Sequence, residues 1–310
     1  MDALSKIFAD IHLNRTEYIY LKTQGEWNFI CQDQTALLVY IVLVGSVFIQ
    51  VDTENGVTAY ANEIVIIPSG ISHYGADNAI TKLVNAIDIS HVFKGHKDEA
   101  IEFGTDSPQK NLILSIRCQI DTLMARPLIQ ALPSLIHIQH ENVTAPEWLQ
   151  IGLHFLALET QHIQAGRDSI IDHLVNILLL KCIRDHIQHL STQHGLLSAL
   201  KHPELSNSLA AIHNQPEYTW TVELLAEQCC MSRSKFASLF HEMIGESPLA
   251  YLQQHRMRLA SQYLRKSNDS IQQIATKVGY SSETAFSQAF KRTFEQSPKQ
   301  YRQHFIEIKN

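Results

Sequence analysis

Eight polar side chains in two short runs are the residues of this chain best suited to reading a hydrogen-bonding surface. Arg233, Ser234, Lys235 and Ser238 form one run, and Glu283, Thr284, Ser287 and Gln288 the other. Each follows a serine, Ser232 or Ser282, and each is interleaved with two phenylalanines four apart, Phe236/Phe240 and Phe286/Phe290. Aromatics at that spacing share one face of a helix, and that face is core. The opposite face then presents short donors and acceptors at a helix start, which base-edge reading in a DNA major groove requires. Ser232, Ser282, Arg256, Arg258, Lys291, Arg292 and Arg302 are the candidates for phosphate contacts. Each of those cations also reads as an ordinary solvated charge.

The elements that must position these residues occur twice. Thr221 to Ala226 matches Ser270 to Ala275, Met231-Ser232 matches Tyr280-Ser281, and Ser247-Pro248 with Tyr251 matches Ser297-Pro298 with Tyr301. The offset is 49 residues up to the serine and 50 after it, so the second copy carries one extra residue at the turn. Duplication in fixed order means two copies of a supersecondary unit. Each copy reads as a helix, a tight turn and a second helix, followed by a third helix opened by Ser-Pro as N-cap and first helical residue. Ser270-x-x-Gln273 is a capping box, and Gly279 suits a turn of positive φ.

These residues resemble the AraC/XylS-type transcription regulators. Trp220-Thr221-Val222, Leu225-Ala226, Met231 to Ser234, Gly245-x-Ser247-Pro248, Tyr251-Leu252 and Arg256-Met257 look like the family's first helix-turn-helix and linker helix. Ile274-Ala275, Val278-Gly279-Tyr280, Phe286 to Arg292 and Ser297-Pro298-x-x-Tyr301-Arg302 look like its second. Cys230 and Glu295 stand where the family usually has glycine, which implies more strained turns. The resemblance implies sequence-specific binding to double-stranded DNA and contact with RNA polymerase. Charge agrees modestly: residues 203–310 hold 12 Lys+Arg against 10 Asp+Glu, while the remainder holds 13 against 21. There is no strongly basic arm, so specificity leans on a few placed contacts.

The preceding half reads as β-rich. Glu17–Lys22, Trp27–Cys31, Leu37–Val44, Val47–Val51, Ile64–Ile67 and Leu83–Ile89 are short apolar or alternating runs, with turns at Gly45-Ser46, Asn55-Gly56 and Pro68-Ser69-Gly70. Such spacing suggests a barrel or jelly roll. Gly25-x-Trp27, Val42-x-x-Gly45, Asn62 to Pro68, Gly70-x-x-His73 and Ile129-x-x-Leu132-Pro133-x-Leu135-Ile136 resemble the cupin-type sensing domain of one subgroup of the family, with Asn62-Glu63 where that subgroup has Gly-Asp. Metal-binding cupins need several converging N/O ligands. Here Tyr40 stands at the first expected ligand position and only His73 remains. No metal and no cofactor are assigned. Trp27, Tyr40, His73 and Tyr74 are candidates to line a pocket for an unknown small-molecule effector, and each reads equally as core or loop.

Residues 147–202 change period. Trp148 to Leu158 suggests one helix and Asp168–Leu190 another, the second apolar on more than one face. In the family this region pairs subunits, so a homodimer through Asp168–Leu190 is expected, with a buried intramolecular helix as the alternative. Thirteen of the 17 histidines precede residue 203, and none has a zinc-protease spacing. Five irregularly spaced cysteines suggest reduced thiols in the cytoplasm. No leader is read, and the longest apolar run, Ala36 to Ile49, is too short to span a membrane.

The expected fold class is α+β: an N-terminal cupin-like β-barrel with following helices, then an all-α domain of two helix-turn-helix motifs joined by a long helix. Residues 1–192 are the sensor, including a helical dimerisation segment over about 147–192; 193–202 are a linker, and 203–310 bind DNA. The expected function is that of a DNA-binding transcription regulator modulated by a small molecule. A cupin-type metal enzyme fused to a DNA-binding domain and a ligand-independent regulator are the alternatives.

Overall fold

The computed structural model describes residues 1–11, 16–51, 56–81, 86–93, 100–139, 147–161, 164–190 and 194–309. Asn55 and the first three residues of the expected strand Leu83–Ile89 lie outside them. The chain divides into two compact units, one of Ile11–Thr122 with Leu132–His186, the other of Met1–Asp10, Leu123–Ala131 and Ile187–Asn310.

Eleven described strands build the first unit. They are β1 (Thr16–Gln24), β2 (Asn28–Cys31), β3 (Ala36–Val44), β4 (Ser46–Val51), β5 (Val57–Tyr60), β6 (Ile64–Ile67), β7 (His73–Ala76), β8 (Ile87–Asp88), β9 (Ile101–Gly104), β10 (Lys110–Gln119) and β11 (Ile136–Ile138). One sheet runs β11-β6-β3-β10-β1-β9 and the other β5-β4-β7-β2-β8. The expected cupin-like barrel or jelly roll is built as two sheets of a cupin-like sandwich. Among the described residues no backbone ladder joins an edge of one sheet to an edge of the other.

The reason β3 reads as an unbroken apolar run is that both its faces are covered. Leu38, Tyr40 and Val42 enter the core between the sheets, against Phe29, Val47, Ile49, Val65 and Ile67. Leu37, Val39 and Ile41 are buried on the opposite face. Two helices follow β11: α3 (Glu147–Gln161) and α4 (Arg167–His189), after the earlier α1 (Ala3–Ile11) and α2 (Thr122–Ala131). Helix α4 is anchored on β1, where Asp172 accepts a 2.8 Å hydrogen bond from the Thr16 amide. The Arg167 guanidinium lies 5.7 Å from the centre of the Tyr18 ring.

The second unit is helical. Besides α1 and α2 it holds α5 (Leu196–Lys201), α6 (Leu205–Asn214), α7 (Val222–Gln228), α8 (Arg233–Ile244), α9 (Pro248–Lys266), α10 (Ile271–Lys277), α11 (Glu283–Phe294) and α12 (Pro298–Lys309). Where a linker is expected, α5 forms because Leu196, Leu197 and Ala199 are buried. Two cores flank α9. Phe236 and Phe240 pack with Leu209, Leu225, Ala226 and Leu252, while Phe286 and Phe290 pack with Met257, Leu264, Ile274 and Ala275.

Both helix-turn-helix turns pass through the left-handed region. Cys230 has φ 52° and its counterpart Gly279 has φ 81°; Glu295 has φ 61° and its counterpart Gly245 has φ 88°. The two copies thus pass through the left-handed region at matching positions with different residues. A side chain costs about 1–2 kcal/mol in that conformation. Glycine at 279 also has a steric reason, since a Cβ there would lie 2.8 Å from the Glu217 carbonyl oxygen and 2.6 Å from an Arg256 nitrogen. Cys230→Gly and Glu295→Gly are each expected to raise stability by about 0.5–1 kcal/mol, and Gly279→Ala to lower it by about 2–4 kcal/mol. Urea unfolding of the three variants checks the signs.

Candidate nucleic-acid interface

Helices α8 and α11 begin in the same way. The Ser232 hydroxyl accepts from the Lys235 amide at 3.4 Å and the Ser282 hydroxyl from the Ala285 amide at 3.2 Å, satisfying one of the free amides of each first turn. Phe236, Phe240, Phe286 and Phe290 are wholly buried, which turns the other side of each helix outward. Arg233, Ser234, Lys235 and Ser238 of α8 are exposed, as are Glu283, Thr284 and Gln288 of α11, with Ser287 half-buried. The structure thus brings each sequence-read set together on one surface. Arg233 pairs with Glu223 of α7 at 2.8 Å, but both side chains are largely exposed, and an exposed pair of this kind holds the arginine weakly.

The cations differ in their freedom to meet a phosphate. Lys291 and Arg292 are exposed in the last turns of α11. Arg256 donates from Nε to the Pro216 carbonyl at 2.6 Å and from a terminal nitrogen to the Tyr218 carbonyl at 2.8 Å. It ties α9 to the segment before α7 and abuts Gly279 of the second turn. Burial holds its pKa below the usual arginine value. Arg302 donates to the Asp269 carbonyl at 2.6 Å. Arg258 is half-buried, with burial lowering its pKa, beside a cavity walled also by Arg126 and Glu246.

In the sheet unit, Trp27, Tyr40 and His73 meet in the core through Phe29. The ring centres are 6.2 Å apart for Trp27 and Phe29, 5.6 Å for Phe29 and Tyr40, and 5.4 Å for Tyr40 and His73. His73 Nδ1–H donates to the Ile71 carbonyl at 2.7 Å, leaving Nε2 to accept from the Tyr40 hydroxyl at 2.6 Å. Burial pushes this imidazole down to about 4, so it is neutral and both nitrogens are engaged. The same surroundings push the Cys31 thiol up to about 11. Tyr74, next along β7, points to the opposite face, as strand alternation demands. It bonds Gln50 and packs on Phe48. Trp27 also borders a cavity of about 460 Å³ with Asn78 and Thr81. A second cavity, of about 430 Å³, lies between β1, β3, β9 and β10, walled by Val44, Phe103 and Leu112 and rimmed by Lys22 and Lys110. The sequence reading does not include it, because β9 and β10 fall beyond its last expected strand.

A family model for a cupin matches residues 2–188, and one for a helix-turn-helix domain matches residues 225–304. The HTH-type transcriptional regulator AlkR of Acinetobacter baylyi is 59% identical over 304 residues, covering 98% of this chain and 99% of its own. An uncharacterized HTH-type transcriptional regulator of Haemophilus influenzae is 37% identical over 175 residues, covering 56% of this chain and 57% of its own. The HTH-type transcriptional regulator MtrA of Neisseria gonorrhoeae is 26% identical over 317 residues, covering 97% of this chain and 98% of its own.

Because Arg256 spends its guanidinium on carbonyls, Arg256→Gln is expected to weaken DNA binding without changing its salt dependence. Lys291→Gln and Arg292→Gln should each flatten the slope of log K against log salt by about one. Affinity measured at a series of salt concentrations separates the two behaviours.

Proposed function

This chain belongs to the AraC-type transcription regulators that carry an N-terminal cupin domain, and we propose that it reads DNA with the exposed first turns of α8 and α11. It is a sequence-specific DNA-binding regulator and not an enzyme. The observation that carries the proposed reading is the pair of serine-capped, polar helix starts, each backed by two buried phenylalanines. Arg233, Ser234, Lys235 and Ser238 would contact bases in one major-groove segment, and Glu283, Thr284, Ser287 and Gln288 in the next. Ser232, Ser282, Lys291 and Arg292 would hold phosphates.

The cupin half would bind a small organic effector that favours one arrangement of the protein over another through differential affinity. Contact with RNA polymerase is proposed from family membership, as is residence in the cytoplasm. No helix among the described residues is long and apolar enough to cross a membrane. A homodimer would form through Asp168–Leu190 together with α3. In α4 most apolar residues are buried within the chain, but Ile170 and Ile177 stay exposed at a seven-residue spacing. Ile151, Phe155 and Leu158 form an exposed stripe at i, i+4 and i+7 along α3. A solvated apolar stripe of this kind suits a second copy of the same surface.

Lys235→Ala and Gln288→Ala are each expected to reduce discrimination between the preferred site and its single-base variants by about 1–3 kcal/mol at the positions they read. Competition binding against a panel of substituted sites measures this; an unchanged preference in both variants would move the reading surface elsewhere. Ile177→Asp should shift the protein from dimer to monomer in sedimentation at micromolar concentration, and a wild-type monomer under those conditions removes the dimer.

A further inference from the structure

Away from the reading helices, three titratable side chains from distant parts of the chain meet inside the helical unit. Asp10 lies in the last turn of α1, His213 in the last turn of α6 and His255 midway along α9. All three are buried, His255 completely. His213 Nδ1 is 3.5 Å and His255 Nε2 is 3.9 Å from the same Asp10 oxygen, Oδ2, and the two imidazole rings are 4.1 Å apart.

The outer bonds of the cluster are accounted for. The far nitrogen of His213 is hydrogen-bonded to the Tyr251 hydroxyl at 2.9 Å, and the second Asp10 oxygen accepts from Lys6 Nζ at 2.6 Å. The Asp10 carbonyl accepts from Gln262 at 3.0 Å. His255 is different: among the described residues neither of its ring nitrogens has a hydrogen-bond partner. Proteins seldom leave a fully buried polar side chain with two orphaned nitrogens, and one that persists points to a missing partner such as an ion. Burial pushes both imidazoles below the usual histidine pKa, and it is the neutral ring that has a lone pair to give a metal.

We propose that Asp10 Oδ2, His213 Nδ1 and His255 Nε2 bind one divalent transition-metal ion, zinc by preference, with a water oxygen completing the site. One donor atom from each of the three residues lies within 4.8 Å of those of the other two. Bonds of about 2.0–2.2 Å in a tetrahedron set ligand separations near about 3.4 Å, so no pair has to close by more than about 1.5 Å. Two imidazoles and one carboxylate select zinc, cobalt, nickel or copper over magnesium and calcium. Tyr251 and Lys6 already hold the far atoms of His213 and Asp10, the outer arrangement that orients metal ligands. The ion would pin α1 and α6 to the middle of α9, the helix that joins the two reading units.

The test uses full-length protein stripped with a chelator and titrated with Zn²⁺. One equivalent should bind and raise Tm, and Co²⁺ in its place should give the visible bands of a tetrahedral N/O site without a thiolate charge-transfer band. Asp10→Asn and His255→Leu should each abolish the equivalent, the Tm rise and the cobalt bands, while His241→Ala, at an exposed histidine, retains them. Without metal, His255→Leu should melt no lower than wild type, because it removes two unsatisfied nitrogens. If His255→Leu fails to fold, Asp10→Asn decides alone. Substoichiometric zinc in the wild type, or a full equivalent in Asp10→Asn, overturns the site.

Discussion

Everything the helical half does depends on one packing constraint: two phenylalanines four residues apart must be buried for the polar side of the same helix to face outward. Phe236 with Phe240 and Phe286 with Phe290 meet that constraint, each pair wholly buried in its own core. Fully burying a phenylalanine contributes about 1.5–3 kcal/mol relative to exposure, so two per helix outweigh the at most about 0.7 kcal/mol of helix propensity lost at each serine or threonine of the polar side. The serine caps then fix where each helix starts. Orientation of the residues proposed to read bases follows from these two local devices.

Helix α9 joins the two units that are proposed to form one reading surface. Its first half, through Tyr251 and Leu252, belongs to the first core, and its second half, through Met257, Ala260 and Leu264, to the second. Arg256 sits between, holding the Pro216 and Tyr218 carbonyls on one side and abutting Gly279 on the other. A guanidinium used in this way fixes geometry instead of supplying charge. The net charge of residues 203–310 is only slightly positive, so placing the reading groups correctly matters more here than general attraction to phosphate.

The helical half was legible from sequence because its signals are local and repeated. The capping box at Ser270 and Gln273, the Ser-Pro starts and the aromatic spacing are all written within a few residues. The strained turns at Cys230 and Glu295 were legible through the family resemblance, which usually has glycine at both positions, and both residues have positive φ. The sheet half was less so. Strand β10, central in its sheet, is buried on both faces and lies beyond the alternating runs, and whether two sheets close into a barrel is not a local property. Partners distant in sequence were invisible: Arg256 reads as a free cation until the carbonyls about forty residues earlier come into view. For the same reason Asp10, His213 and His255 carry no motif.

The central claim is that the two capped helices act as one rigid reader of successive groove segments. It is tested most directly by selecting genomic DNA fragments with the purified full-length protein at a stated salt concentration. The account predicts enrichment of a motif with two short conserved blocks per subunit, separated by about one helical turn, and repeated when two subunits bind. Enrichment of a single block, or binding without sequence preference that collapses in moderate salt, would contradict it.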